Sequence, residues 1–174
     1  MPAPKPRLLC VDDDAQCLSV RRILLEAHGF TVVTTTSPRQ ALRLYRLKRF
    51  DAAVIDFQMP DMDGGALAQE MKSARADVPV IILSGLPYPP EGVPQSYDRF
   101  LCKTEPGFKI VKEIKDLIAS ANARAIDQAV PVHQKAFMVA GIAVGIAAEG
   151  LSDAKTRARD TAKHAFGLKT AALH

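Results

Sequence analysis

The feature that most constrains this chain is an alternation. Short, nearly continuous apolar runs at 8–11, 31–35, 52–55, 80–83 and 100–102 are separated by stretches in which apolar residues recur at helical spacing. A run that is apolar at successive positions has both faces buried, which is the state of a strand inside a parallel sheet with helices packed on each side. The pattern predicts an α/β fold, a doubly wound sheet of five parallel strands. Local end signals agree with it. Residues 15–28 read as a helix stopped by Gly29, while Ser37 and Pro38 supply an N-cap and a first-turn proline for a helix through Arg49. A third helix is expected over 65–74, and a last one from Phe108 with Ile110, Ile114, Leu117 and Ile118 on one face. Pro87, Pro89, Pro90 and Pro94 leave only 95–98 free for helix before the fifth run, so a shortened fourth helix of one turn, or a loop, is expected there.

A chain of 174 residues that is 48% hydrophobic can bury one such core and an appendage rather than two full domains. The division expected is a disordered N-terminus at 1–6, a folded domain at 7–119 and a helical tail at 120–174. The net charge of +4 divides into +1 through Ile118 and +3 beyond it, too small a surplus to argue direct nucleic-acid binding. Arg39, Arg43 and Arg46 share a helix face and read as a solvated outer surface. Cys10, Cys17 and Cys102 have neither disulfide nor metal spacing, and read as free, buried thiols of a reducing compartment. The start is polar and proline-rich, with no export signal visible, so a cytoplasmic location is expected. His28, His133, His164 and His174 are scattered, which argues against a metal or catalytic role.

In a doubly wound sheet the ligand crevice lies outside the carboxyl ends of the strands, so the residues that follow each strand carry the chemistry. Here those are Asp12, Asp13 and Asp14 after the first run, Asp56 after the third, Ser84 and Gly85 after the fourth, and Lys103 after the fifth. Two carboxylates 4 Å apart repel by about 4 kcal/mol at an effective dielectric near 20, so such a group must hold protons or a cation. A hard divalent ion such as Mg²⁺ answers the need and leaves coordination positions for phosphate oxygens. Phosphoryl transfer asks for positioning and charge stabilisation around an attacking oxygen, and Asp56 is the natural nucleophile. Asp14 reads as a helix cap, Met59 and Met62 as packing residues, and Pro60 and Gly64 as residues that shape the loop after Asp56.

Four stretches resemble the receiver domains of two-component response regulators: Leu9-Cys-Val-Asp12-Asp13, Val54-Ile-Asp56-Phe-Gln-Met59-Pro60-Asp-Met-Asp63-Gly64, Ile82-Leu-Ser84-Gly85 and Phe100-Leu-Cys-Lys103. The resemblance covers about 7–119. It implies strand order 2-1-3-4-5 and a signalling switch rather than an enzyme, phosphorylated on Asp56 by a histidine kinase or phosphotransfer protein. It further implies Mg²⁺ held by Asp12, Asp13, Asp56 and the Gln58 backbone carbonyl, Lys103 paired with the phosphoryl oxygens, and Ser84 and Phe100 as the moving switch pair. Gln58 and Leu86 match positions that tune the phosphate's lifetime. Thr104 stands where many receivers have proline, so the cis bond customary there is not expected. No helix-turn-helix or enzymatic output module is recognisable in the sequence. Two alternatives compete: a receiver-like scaffold that is never phosphorylated, and a haloacid-dehalogenase-like phosphatase with Asp12 as nucleophile. The second leaves Asp56 and its loop unexplained.

The tail has a different character. After an alanine-rich continuation to Gln128 and a break at Pro131, residues 136–148 carry no charge. Thirteen residues span about 20 Å as a helix, short of a bilayer's core of about 30 Å. With the amphipathic, basic segment 153–166 they suggest a helical hairpin packing on itself, on a second copy or on a partner. Membrane contact, a small RNA-binding module resembled only faintly by 150–154, and disorder are the other readings.

Overall fold

The computed structural model describes residues 4–129. Five strands, β1 (Arg7–Val11), β2 (Thr31–Thr35), β3 (Ala52–Asp56), β4 (Val80–Ser84) and β5 (Arg99–Cys102), alternate with α1 (Ala15–Ala27), α2 (Pro38–Leu47), α3 (Gly64–Ala74) and α4 (Gly107–Ala129). All strand pairings are parallel and the order is β2-β1-β3-β4-β5. The expected fold class and strand order are both present. Residues 1–126 form one compact unit, and a second begins at Asp127.

Alternation along β1 shows why its sequence is apolar throughout. Leu8 and Cys10 face a core shared with Leu18 and Leu25 of α1 and with Ile110, Val111, Ile114 and Ile118 of α4. Leu9 and Val11 face the opposite core, with Ala41 and Tyr45 of α2 and Leu67, Ala68 and Met71 of α3. Fully burying a leucine-sized side chain is worth about 1.5–3 kcal/mol. The two layers are the main source of the fold's stability.

Helix ends are set locally, as the sequence suggests. The Asp14 side chain caps α1 by accepting from the Gln16 and Cys17 N–H groups, Ser37 caps α2 by accepting from Gln40, and Asp63 caps α3 by accepting from Ala66. Gly29 follows α1 with φ of 93°, a conformation that glycine adopts without steric cost. No cis peptide bond occurs among the described residues.

Two expectations are corrected. Residues 85–98 contain no helix, not even the single turn at 95–98. The four prolines withhold backbone donors, and Val93 and Tyr97 pack against the α2/α3 core instead of extending a turn. The last helix, expected from Phe108, spans Gly107–Ala129 and takes in the alanine-rich continuation to Gln128. Of the thiols only Cys10 is buried, while Cys17 is exposed on α1 and Cys102 is half-buried at the sheet edge. Met59 is buried and Met62 packs against the same core, and Arg39, Arg43 and Arg46 are exposed as expected. The Pro6 carbonyl accepts from the Thr31 N–H at 2.9 Å, so the ordered chain reaches one residue before β1. No helix among the described residues is long and apolar enough to cross a membrane. The apolar run at 136–148 and the basic segment at 153–166 lie outside the described residues.

Candidate functional site

Parallel strands end together, so their last residues meet. Asp12 directly follows β1, Asp56 is the last residue of β3, Ser84 the last of β4, and Lys103 directly follows β5. Asp12, Asp13 and Asp56 each bring a carboxylate oxygen within 4.8 Å of the others. The Lys103 ammonium lies 2.5 Å from Asp56 Oδ1 and 3.3 Å from Asp12 Oδ2. Asp12, Asp56 and Ser84 are buried, whereas Asp13 opens to solvent.

The cluster's charge balance is uneven. Burial pushes the Asp56 carboxyl above its ordinary pKa, and the neighbouring Asp12 adds to the effect, while the hydrogen bond and charge of Lys103 only partly oppose it. Burial would lower the Lys103 ammonium, but two carboxylates outweigh it and leave Lys103 raised. The donors are hard oxygens in a crevice with one open side, which suits a small hard cation rather than a thiolate- or imidazole-seeking metal.

The loop after Asp56 is held by backbone. Phe57 N–H donates to the Leu83 carbonyl at 2.8 Å, and Gly64 N–H donates to the Phe57 carbonyl at 2.9 Å. A Cβ on Gly64 would collide with the Asp56 carbonyl oxygen and lie 2.9 Å from Phe57 Cα, so only glycine lets α3 start this close to the acidic residue. Gln58 lies in this loop with an exposed side chain.

A family model described as the response regulator receiver domain matches residues 8–118. The chain belongs to that family. A curated relative, the two-component response regulator ARR10 of Arabidopsis thaliana, is 42% identical over 80 residues, 45% of this chain and 14% of the relative. The chain covers 11% to 34% of the lengths of the first curated relatives it matches. Among solved structures, the receiver domain of the Francisella response regulator 1452 is 27% identical with a TM-score of 0.61, over 66% of this chain and 98% of that one. The receiver of the sensor histidine kinase PA1611 from Pseudomonas aeruginosa PAO1, solved with a magnesium ion coordinated in its active-site cleft, has a TM-score of 0.61 at 22% identity, over 66% of this chain and 98% of that one. At that identity the likeness concerns the fold.

In this receiver the two expected switch residues sit on neighbouring strands. Ser84 Oγ accepts from the Leu86 N–H at 3.0 Å, and the Ser84 carbonyl accepts from the Lys103 N–H at 2.6 Å. Phe100 is half-buried, edge-on to Phe57 with ring centroids 5.8 Å apart, and tilted against Tyr97 at 6.0 Å. The receiver also holds a residue that sequence reasoning missed. Arg21 of α1 donates from Nη2 to Asp12 Oδ2 at 3.0 Å. The signal was present: Leu18, Arg21 and Leu25 lie on one helix face, and a charged residue between two core leucines needs a partner inside.

Proposed function

We propose that this receiver takes a phosphoryl group on Asp56 from a phosphohistidine of a kinase or phosphotransfer partner in the cytoplasm, with Mg²⁺ held by Asp12, Asp13, Asp56 and the Gln58 carbonyl. Receiver domains as a family act as switches in two-component signalling. The observation that carries the assignment to Asp56 is its buried carboxylate, ion-paired to Lys103 at 2.5 Å within the three-carboxylate cluster. Bound Mg²⁺ would screen the phosphoryl charge against the carboxylates. An Asp56 oxygen attacks phosphorus, the O–P bond forms as the donor's N–P bond breaks, and the electron pair returns to the imidazole nitrogen. Lys103 then offers its ammonium to a phosphoryl oxygen.

The Ser84 hydroxyl can turn to donate to the same phosphoryl group. Its turn would leave the Leu86 N–H without its acceptor, so the start of the 85–98 loop must rearrange, with Phe100 moving inward from its contact with Phe57. In this reading the phosphorylation state reaches the surface through that loop. The phosphatase alternative is disfavoured because it leaves Asp56, buried and ion-paired to Lys103, without a role.

Incubation with acetyl phosphate and Mg²⁺ should add one phosphoryl group by mass spectrometry, and Asp56→Asn should abolish the addition. Label retained on Asp12 in that variant would move the assignment to the phosphatase reading, and no label on the wild type would favour the scaffold.

A further inference from the structure

Arg21 carries more than a structural salt bridge. Its side chain is 10% exposed and that of Asp12 is 1% exposed. Flanked by the buried Leu18 and Leu25, the guanidinium points to the sheet rather than to solvent. Nη2 donates to Asp12 Oδ2 at 3.0 Å, and Nη1 is buried with no hydrogen-bond partner among the described residues. Lys103 approaches the same Oδ2 at 3.3 Å, and Oδ1 accepts from the Asp14 N–H at 3.0 Å. A divalent ion that uses Asp12 must share it with a cation that cannot lose its charge, because a guanidinium does not deprotonate in proteins.

The local charge makes the consequence definite. Asp12, Asp13 and Asp56 against Arg21 and Lys103 leave one net negative charge. Without Arg21 two would remain, the number that a divalent ion neutralises. We propose that Arg21 is a built-in counter-ion, a positioning residue that holds Asp12 when no ion is bound and competes with the ion for that carboxylate. The receiver then binds Mg²⁺ more weakly than its three carboxylates alone would allow, and ion occupancy becomes sensitive to the free Mg²⁺ concentration. This rests on the divalent-ion reading given above.

Calorimetric titration of the full chain with MgCl₂ tests it, comparing wild type with Arg21→Met and Arg21→Lys. Methionine keeps an apolar stem of similar reach between the two leucines. It should tighten Mg²⁺ binding about tenfold or more, the order expected for removing a unit charge a few ångström from a divalent ion. Lysine, which keeps the charge, should bind Mg²⁺ within about threefold of the wild type. The rise in Tm on adding MgCl₂ should be larger for Arg21→Met than for wild type. If Arg21→Met loses its helical circular dichroism, Arg21→Gln takes its place with the same expectation. Unchanged or weaker Mg²⁺ binding in a folded neutral variant overturns the counter-ion role while leaving the metal site standing. An absence of Mg²⁺ binding in wild type and variants alike overturns the divalent-ion reading and this inference with it.

Discussion

At the scale of single residues, burial decides which groups can change charge. Cys10 lies in the middle of β1 among apolar neighbours, and burial pushes its thiol from 9.0 up to about 12. Tyr45 is raised from 10.0 to about 12, again chiefly by burial. For an acid whose folded pKa is raised, the protonated form is the one the fold accepts. Its contribution to stability is complete below the unfolded pKa and is lost as pH rises toward the folded one. Stability should therefore fall between pH 9 and pH 12, with Cys10 supplying a slope of about 1.4 kcal/mol per pH unit and Tyr45 joining above pH 10. Urea denaturation at pH 8.0 and about pH 9.7, run on wild type and Cys10→Ala, isolates the thiol, because the other groups cancel in the difference. The variant should be less stable at pH 8 but lose less on going alkaline. Parallel losses in the two proteins would show that Cys10 does not ionise on unfolding.

At the scale of elements, the acidic site depends on how closely helices start behind their strands. Asp14 both caps α1 and donates its N–H to Asp12, so the first helical turn and the first acidic residue form one hydrogen-bonded unit. The junction of β3 and α3 is tighter. Gly64 is buried where a side chain would meet the Asp56 carbonyl, backbone that cannot step aside as a flexible side chain does. Gly64→Ala should lower stability by about 1–3 kcal/mol through this overlap. Because the displaced atoms belong to Asp56 and Phe57, it should slow phosphorylation by acetyl phosphate beyond the effect of lost stability. Thermal melting and initial phosphorylation rates below the melting range check both. A variant that melts like wild type and phosphorylates at the same rate would mean that the loop relaxes without moving Asp56.

At the scale of the whole molecule, all residues of the proposed site lie between Asp12 and Lys103, and the last buried core residue of α4 is Ile118. The compact unit that holds them closes at Ile126. A chain ended at Ala129 should fold cooperatively and take up one phosphoryl group from acetyl phosphate at a rate within about twofold of the full chain. Denaturant melts and phosphorylation time courses on the two lengths make the comparison. A truncated chain that fails to melt cooperatively would show that residues beyond 129 support the receiver's core.

Much of this protein was legible in one dimension because the relevant physics is local or periodic. The continuous apolar runs mark strands buried on both faces. Asp14, Ser37 and Gly29 mark helix ends through backbone groups a few residues away. The convergence of Asp12, Asp13, Asp56, Ser84 and Lys103 follows once the strands are parallel, since residues after parallel strands share one end of a sheet. Other facts depend on contacts between residues distant in sequence. The 85–98 segment forms no helical turn, and Val93 and Tyr97 pack into a core built from other elements. The Arg21 guanidinium ends on Asp12, a partner set by how α1 lies against β1. The rise of the Asp56 pKa comes first from burial at the end of β3, with Asp12 from the neighbouring strand adding to it against Lys103. Periodicity and capping signals name elements and their ends, whereas electrostatic partnership falls off with distance in space and is decided only when the chain is folded.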